Sequence, residues 1–417
     1  QIGMMYLFLS FLEDSGYMAR AAFVMDRLMQ ALGLPGKSFV PLIVGFGCNV
    51  PSVMGARTLD APRERLMTIM MAPFMSCGAR LAIFAVFAAA FFGQQGALAV
   101  FSLYVLGIVM AILTGLMLKH TIMRGEASPF VMELPVYHVP HLKSLVIQTW
   151  QRLKGFVLRA GKVIVIVSVF LSALNSFTLS GQAADNINDS ALASVSRVIT
   201  PVFKPIGVHE DNWQATVGLF TGAMAKEVVV GTLNTLYTAE NIQEQEFDPA
   251  AFHLGHELLG AVEETWQSLK DTFSLSVLAN PIEASKGDGE MATGAMGVMS
   301  EKFGSASAAY SYLIFVLLYI PCISVMGAIA RESSRGWMGF SILWGLNIAY
   351  SLATLFYQTV NFSQHPRYSL VCILAVVLFN VIVLGLLRRA RSRIDIDLLA
   401  KRKTAATCCN SPAGDCH

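Results

Sequence analysis

The amino-acid sequence predicts an all-α fold: a polytopic transmembrane helical bundle with two related halves that contain broken helices. Three observations predict it. Of the 417 residues, 54% are hydrophobic and only 14% are charged, whereas about 25% of the residues in a soluble domain are charged. Several stretches long enough to cross a bilayer contain no Asp, Glu, Lys or Arg. A short repeat occurs in two interrupted apolar segments, one in each half.

The apolar segments set the order of the predicted elements. They are 1–31, 38–57, 64–93, 97–119, 156–180, 213–237, 305–331, 337–360 and 366–388. We expect 1–31, 38–57, 213–237 and 305–331 to be interrupted by charge, Gly or Pro, and the others to be continuous helices.

These segments predict five regions. They are the first half (1–119), a basic interfacial connection with a linking transmembrane helix (120–180), a polar loop with the charged segment 213–237 and an acidic insert (181–302), the second half (303–388), and a basic, Cys-rich tail (389–417).

The distribution of Lys and Arg predicts the orientation. Short loops and tails rich in these residues stay in the cytoplasm, which places the tail 389–417 there. We also expect this tail to be poorly ordered. The basic loops and the basic tail all lie on the cytoplasmic side if 213–237 enters and returns on the same face of the membrane. The acidic insert then lies outside.

The repeat is Ser52-Val-Met-Gly-Ala56, which recurs as Ser324-Val-Met-Gly-Ala328. Each copy has a Cys and a Pro nearby, and these residues with two glycines should interrupt the helix. The predicted gate backbone residues are Gly45, Gly47, Pro51 and Pro321. Paired interrupted segments in two halves are the best sequence indication of a transporter's substrate site, and proline kinks that serve packing are the alternative.

Thiol, carboxylate and amide groups in or beside these interruptions are the candidate transport pathway. They are Cys48, Asn49, Cys77, Glu227, Cys322 and Ser324. The predicted intramembrane charges are Glu13, Asp14, Arg20 and Lys226, and a packing ion pair of Lys226 or Glu227 with Asp14 or Arg20 is the alternative. Sulfur and oxygen together suit a borderline divalent transition metal. A permease must release its cargo, so we expect transient binding by Cys48, Cys77 and Cys322 rather than a closed cage.

Two other patterns bear on metal or nucleotide binding. One is an accessory metal or redox cluster predicted from Cys408, Cys409, Cys416 and His417. The alternative is a solvated tail whose thiols are incidental. Ala31–Ser38 fits a permissive phosphate-loop pattern, but an apolar helix precedes it where a strand is needed. We interpret it as a helix-ending turn that binds no nucleotide.

Four motifs carry a resemblance to a known family. They are Phe11–Arg20, Gly45–Pro51, Ala225–Leu233 and Tyr319–Cys322. They resemble the membrane domain of FeoB, the bacterial ferrous-iron transporter, over most of the chain. The resemblance implies two gate-type halves and Fe²⁺ as the substrate, with no permanently bound cofactor, in a multi-pass protein of the bacterial inner membrane. It also implies Cys48, Cys77 and Cys322 as residues of the Fe²⁺ pathway.

The resemblance also implies partners. They are the lipid bilayer, an N-terminal GTPase domain of the same protein, small accessory Feo proteins and a second copy of the chain. No complete phosphate-loop unit is present, so we expect any GTPase activity to lie outside this chain. The alternative function is a gate-type solute symporter similar to nucleoside transporters. An intramembrane enzyme is disfavoured by the absence of a catalytic constellation in the spans, and nucleic-acid binding by the absence of a basic stripe.

Overall fold

The computed structural model describes residues 2–123, 137–138, 140–176, 178, 190–224, 226, 228–241 and 293–409. Within these residues every regular element is a helix, which confirms the all-α prediction. The α-helices are α1 (Ile2–Asp14), α2 (Tyr17–Leu32), α3 (Phe39–Gly47), α4 (Asn49–Gly55), α5 (Pro62–Met71), α6 (Gly78–Phe87), α7 (Gly96–Thr121), α8 (Leu142–Ser176), α9 (Ala191–Ile199), α10 (Trp213–Met224), α11 (Val228–Asn241), α12 (Thr293–Phe303), α13 (Ala306–Leu318), α14 (Ile323–Glu332), α15 (Arg335–Val360) and α16 (Pro366–Cys409).

Several of these helical segments are long and apolar enough to cross a membrane. Among the described residues they are Pro62–Thr121, Ala306–Glu332, Arg335–Val360 and Pro366–Arg389. A fifth is obtained if α2 and the segment Gly36–Gly47, which meet at 101°, form one bent span. The polytopic prediction is therefore confirmed.

The four predicted interruptions are all present. Segment 1–31 breaks at Gly16, whose φ of 76° is left-handed and favours glycine. Segment 38–57 breaks at Cys48, where the backbone is extended. Segment 213–237 separates into α10 and α11, and segment 305–331 separates into α13 and α14 around Pro321.

The prediction that 64–93 is a continuous helix is wrong. After α5 the chain forms a short 3₁₀ turn at Ala72–Phe74, and Met75 and Cys77 are extended before α6 begins. Pro73 explains the break because it removes a backbone donor and its ring clashes with the preceding turn. Cys77 therefore lies in a break of the helix, between this turn and α6.

Two further boundaries differ from the predictions. The connection and the transmembrane helix expected within 120–180 share one helix, because α8 runs for 35 residues from Leu142 to Ser176. The tail 389–417 is helical as far as Cys409, where α16 ends, and that this tail is poorly ordered stays a prediction. Its Leu, Ala, Arg and Lys residues are good helix formers, so nothing in this stretch stops the helix. Residues 410–417 lie outside the described residues.

One of the broken segments, 213–237, folds back on itself. Across α10 and α11, a Cβ at Gly218 would lie 2.9 Å from the Leu233 side chain, and the Tyr237 hydroxyl donates to Asn212 Oδ1 at 2.7 Å. Pairs on opposite sides of residues 225–227 thus approach each other, as in a helical hairpin. This agrees with the expectation that 213–237 enters and returns on one face.

The two halves share one hydrophobic core. Helix α13 lies near its centre: Leu313–Leu318 are all buried, and the helix contacts α6, α7 and α15. Helix α16 packs on α15 at the outside, and many of its large apolar side chains are exposed, as suits contact with lipid.

Candidate functional site

Three cysteines occupy equivalent local positions at helix breaks. Cys48 immediately precedes α4, Cys77 precedes α6 and Cys322 precedes α14. All three are partly buried, and each has a β-like or polyproline-like ψ of 131° to 164°. The breaks therefore place each side chain between helix segments, rather than on the continuous surface of one helix.

The breaks at Cys48 and Cys77 pack against each other. The Asn49 Nδ2 donates to the Met75 carbonyl at 3.3 Å. A Cβ at Gly45 would lie 3.0 Å from the Met75 Cβ, which is tighter than nearly all real contacts. Glycine at this position therefore allows the close approach of the two breaks.

Arg80 holds the second break from inside the core. It is fully buried, and its Nη1 donates to the carbonyls of Pro73 and Met75 at 3.0 and 2.9 Å. The break at Pro73 leaves these carbonyls without helical partners, so the guanidinium group replaces lost backbone hydrogen bonds. Asn49 and Arg80 thus share one acceptor, the Met75 carbonyl.

The break at Cys322 meets the tip of the α10–α11 hairpin. Lys226, only 4% exposed, places its Nζ 5.0 Å from the centroid of the Tyr319 ring, which favours a cation–π interaction. A Cβ at Gly222 would lie 2.4 Å from the Tyr319 hydroxyl, so only glycine fits there without a shift. Tyr319 therefore connects the charged segment 213–237 to the break at Cys322.

Helices α4 and α14, which carry the two copies of the repeat, contact each other. Arg57, just after α4, pairs with Glu332 at the end of α14. Arg65 in α5 donates from Nη2 to the Glu332 Oε2 and to its backbone carbonyl, both at 2.8 Å. The C-terminal ends of the two helices therefore meet at one ionic cluster that joins the halves.

Sequence reasoning missed Arg65 and Glu332 as a connection between the halves. A signal was present, because Glu332 is the first acidic residue after the long charge-free stretch 303–330. Its side chain is 9% exposed, and such a burial of charge calls for a partner. No pattern in the sequence indicates which arginines supply that partner.

A cavity of about 590 Å³ lies beside the two repeat helices. Residues near the start of both helices line it, among them Val50 and Ile323, and so do Arg57 and Arg331 near their ends. Both helices therefore line the cavity along their lengths. Ser324 and Pro51, both predicted site residues, line this cavity as well.

The three cysteines at the breaks, Cys48, Cys77 and Cys322, do not form one preassembled metal site. Among the described residues, no three His, Cys, Asp or Glu side chains come together in a group that could hold a metal ion. Glu227, Cys416 and His417 lie outside those residues, and of the last turn of α16 only the helical backbone at Cys408 and Cys409 is described.

Two of the predicted charges near the first break contact residues of other segments. Glu13 accepts a hydrogen bond at 2.8 Å from Arg152 of α8, and Arg20 lies 3.4 Å from the centroid of the Tyr137 ring. Asp14 is partly buried. Arg20 is thus engaged in an aromatic contact with Tyr137.

The phosphate-loop-like segment is a turn between helices, as predicted. Residues Gly36–Ser38 form one 3₁₀ turn, with α2 before it and α3 after it. The Gly36 amide donates to Asp26 Oδ1 at 2.8 Å, and Lys37 lies 3.6 Å from Asp60. The turn's amide and lysine therefore face carboxylates of the chain itself.

Comparisons with known proteins agree with this architecture. The family described as "Nucleoside recognition" (Gate) matches residues 1–91 and 157–335, more than half of the chain. The family described as "Ferrous iron transport protein B C terminus" matches residues 100–152. No solved structure matches the chain.

Several curated relatives match along the whole chain. It is 90% identical over 417 residues to the Fe(2+) transporter FeoB of Salmonella typhimurium and 88% identical over 418 residues to that of Escherichia coli strain K12. All of this chain is covered, but only 54% of each relative, so the chain spans about half the length of these proteins. The chain therefore belongs to the Gate family, and along its whole length it is similar to the Fe(2+) transporter FeoB.

Proposed function

We propose that this chain is the membrane-embedded permease part of a ferrous-iron transporter. The observation that carries the proposal is the position of three partly buried cysteines at the starts of helices beyond backbone breaks. The name of the 90% identical relatives supplies the cargo. Fe²⁺ is the substrate in this proposal, and the chain needs no permanently bound cofactor.

The chemistry of the breaks suits a metal that must be bound and released. Thiol sulfur is a soft ligand, and carbonyl and amide oxygens add harder ones, a mixture that suits a borderline divalent ion. Since the three cysteines lie in separate breaks, we infer that Fe²⁺ passes successive partial sites. A closed cage of thiolates would hold the ion too tightly for transport.

Asn49, Ser324 and Glu227 are the oxygen ligands of this proposal. Asn49 is buried and held at the Met75 carbonyl, which leaves its Oδ1 as the acceptor that faces no hydrogen-bond donor among the described residues. Ser324 lines the cavity at the start of α14. Glu227 is the next residue after Lys226 in the sequence, and an acidic residue within an apolar segment indicates function.

The setting follows from the same proposal. The protein resides in the bacterial inner membrane, with its basic tail in the cytoplasm. GTP hydrolysis belongs to a part of the relatives outside this chain, and small accessory Feo proteins and a second copy of the chain are further partners. A reporter fused after His417 that is active only in the periplasm would contradict this orientation.

Uptake of radiolabelled Fe²⁺ by cells that express the full-length protein tests the function. Cys48→Ser and Cys322→Ser should each nearly abolish uptake, while Cys372→Ser should not. Cys372 is the matched control, because it is also a partly buried cysteine but lies within the continuous helix α16. Equal uptake by all three variants would remove the cysteines from the pathway.

A gate-type solute symporter is the second candidate, favoured by the description of the Gate family as nucleoside recognition. Such a site would take a nucleoside through amide and aromatic contacts. Uptake of labelled nucleosides, unaffected by Cys48→Ser, would support it over the iron permease.

A further inference from the structure

The cavity beside the repeat helices has an apolar interior. It lies between α1, α3, α4, α8 and α14, and its lining includes Leu9, Val44, Met54 and Ile323. Its volume of about 590 Å³ lies within the range of natural ligand pockets. An occupant of this space must therefore present hydrocarbon to most of the wall.

The polar part of the lining is basic. Three arginines and one acid, Glu13, line the cavity, which makes the lining positive. Arg57 pairs with Glu332, and Arg152 pairs with Glu13. Arg331 is exposed, and its Nε donates to the Gly327 carbonyl at 3.2 Å. Among the described residues Arg331 forms no ion pair, so its terminal nitrogens can bind an anion.

The surroundings of the cavity are those of a membrane interface. On α8, Trp150 is 64% exposed and adjoins Gln151 and Arg152, both of which line the cavity. On α1, Phe8 and Phe11 are exposed. Tryptophan concentrates at headgroup depth and arginine on the cytoplasmic side. The basic residues thus lie where a phospholipid headgroup would be.

We propose that this cavity binds an anionic phospholipid, with its phosphate at Arg331 and part of an acyl chain along the apolar wall. Basic pockets between transmembrane helices on the cytoplasmic side suit such headgroups. Ser324, a proposed oxygen ligand of Fe²⁺, also lines the cavity, but it lies seven residues before Arg331 on α14, which is about 10 Å along the helix. A neutral solute that lacks an anionic group would gain nothing from Arg331. The site is therefore distinct in chemistry from the cysteine breaks, and it does not depend on which substrate the gate carries.

Binding can be measured on the full chain, purified and reconstituted in nanodiscs that contain phosphatidylglycerol and phosphatidylethanolamine. Native mass spectrometry after extraction should show retained phosphatidylglycerol and little phosphatidylethanolamine. Arg331→Gln should lower this retention roughly tenfold, the effect of losing one charge-assisted contact. Arg335→Gln is the matched control, because it removes the same charge from an exposed position that does not line the cavity.

A second pair of variants tests the cavity without altering its charge. A Cβ at Gly327 meets nothing within 4 Å, so Gly327→Leu should fill the space without disturbing the fold. Gly339→Leu is the control, since a Cβ there also meets nothing within 4 Å and Gly339 does not line the cavity. Thermal unfolding should be similar in both variants, and only Gly327→Leu should lose the lipid.

Three results would overturn the proposal. They are equal retention of the two lipids, equal retention by Arg331→Gln and Arg335→Gln, or binding of inorganic phosphate that removes the preference for phosphatidylglycerol. The last result would identify a site for a free anion. None of these measurements uses iron, so their failure would leave the proposed iron transport intact.

Discussion

Arg65 donates two hydrogen bonds to Glu332 across the boundary between the halves, one to the side-chain Oε2 and one to the backbone carbonyl, each 2.8 Å long. Arg57 binds the other carboxylate oxygen. One acidic residue at the end of α14 is thus held by arginines from the end of α4 and from α5. The contact fixes the ends of the two repeat helices against each other.

The first prediction concerns this cluster. Glu332→Gln leaves Arg57 and Arg65 facing each other without a counter-charge, so the thermal midpoint of the protein in detergent should fall. Arg65→Gln should also destabilise, and the double variant should be less destabilised than the sum of the two. We expect a coupling of about 1–2 kcal/mol, at the middle of the range for contacting residues, because Arg65 is 35% exposed. Additive effects would show that the contact is energetically neutral.

The second prediction tests the contact between the hairpin and Tyr319. Gly222→Ala places a Cβ 2.4 Å from the Tyr319 hydroxyl and 2.9 Å from Val229, so it should destabilise by about 1–3 kcal/mol, as overpacking does. Adding Tyr319→Phe removes the closer clash and should restore part of the stability. Gly231→Ala is the control, because a Cβ there meets nothing within 4 Å. No recovery in the double variant would contradict this packing.

The third prediction is that Cys48 and Cys322 lie near each other. The helices that they begin contact each other and line one cavity along their lengths. In a variant that retains only these two cysteines, a bifunctional thiol reagent of short span should cross-link them, as judged by protection from a later thiol label. A separation above about 20 Å, most of the bilayer core, measured between spin labels at these positions, would exclude a shared site.

The fourth prediction is that Glu227 is required for transport. It adjoins Lys226, which is buried against Tyr319, and a carboxylate at membrane depth is costly unless it serves function or pairing. Glu227→Gln should impair Fe²⁺ uptake while membrane insertion stays normal. Glu301→Gln, in the last part of α12, is a control with the same chemical change at an exposed position. Normal uptake by Glu227→Gln would remove this residue from the pathway.

The fifth prediction concerns the Cys-rich end of the chain. If Cys408, Cys409, Cys416 and His417 form only an accessory cluster, truncation after Lys403 should lower Fe²⁺ uptake in part and leave membrane insertion unchanged. Replacement of the three cysteines by Ser should have the same effect as truncation. Complete loss of uptake on truncation would show that this end is central to transport.

Much of the fold could be predicted from local sequence. Charge-free stretches predicted the spans, and charge, Gly and Pro within 1–31, 38–57 and 305–331 predicted breaks that the structure contains. The break at Pro73 was missed because it lies between long apolar stretches, and hydropathy outweighed one proline. The extension of α16 was missed because the prediction of a poorly ordered tail rested on its high density of Lys and Arg. Such a density indicates solvent exposure, and Lys and Arg are good helix formers.

The sequence by itself determined which segments are apolar, where backbone hydrogen bonding must fail, and which residues carry thiols at those places. These properties depend on residues that are neighbours in the chain. Tertiary structure alone decided that Asn49 and Arg80 share the Met75 carbonyl, that Gly222 faces Tyr319, and that Glu332 receives arginines more than 260 residues away. Such contacts depend on which faces of the helices meet, and helix packing is selected by the combined fit of many side chains, which no local pattern specifies.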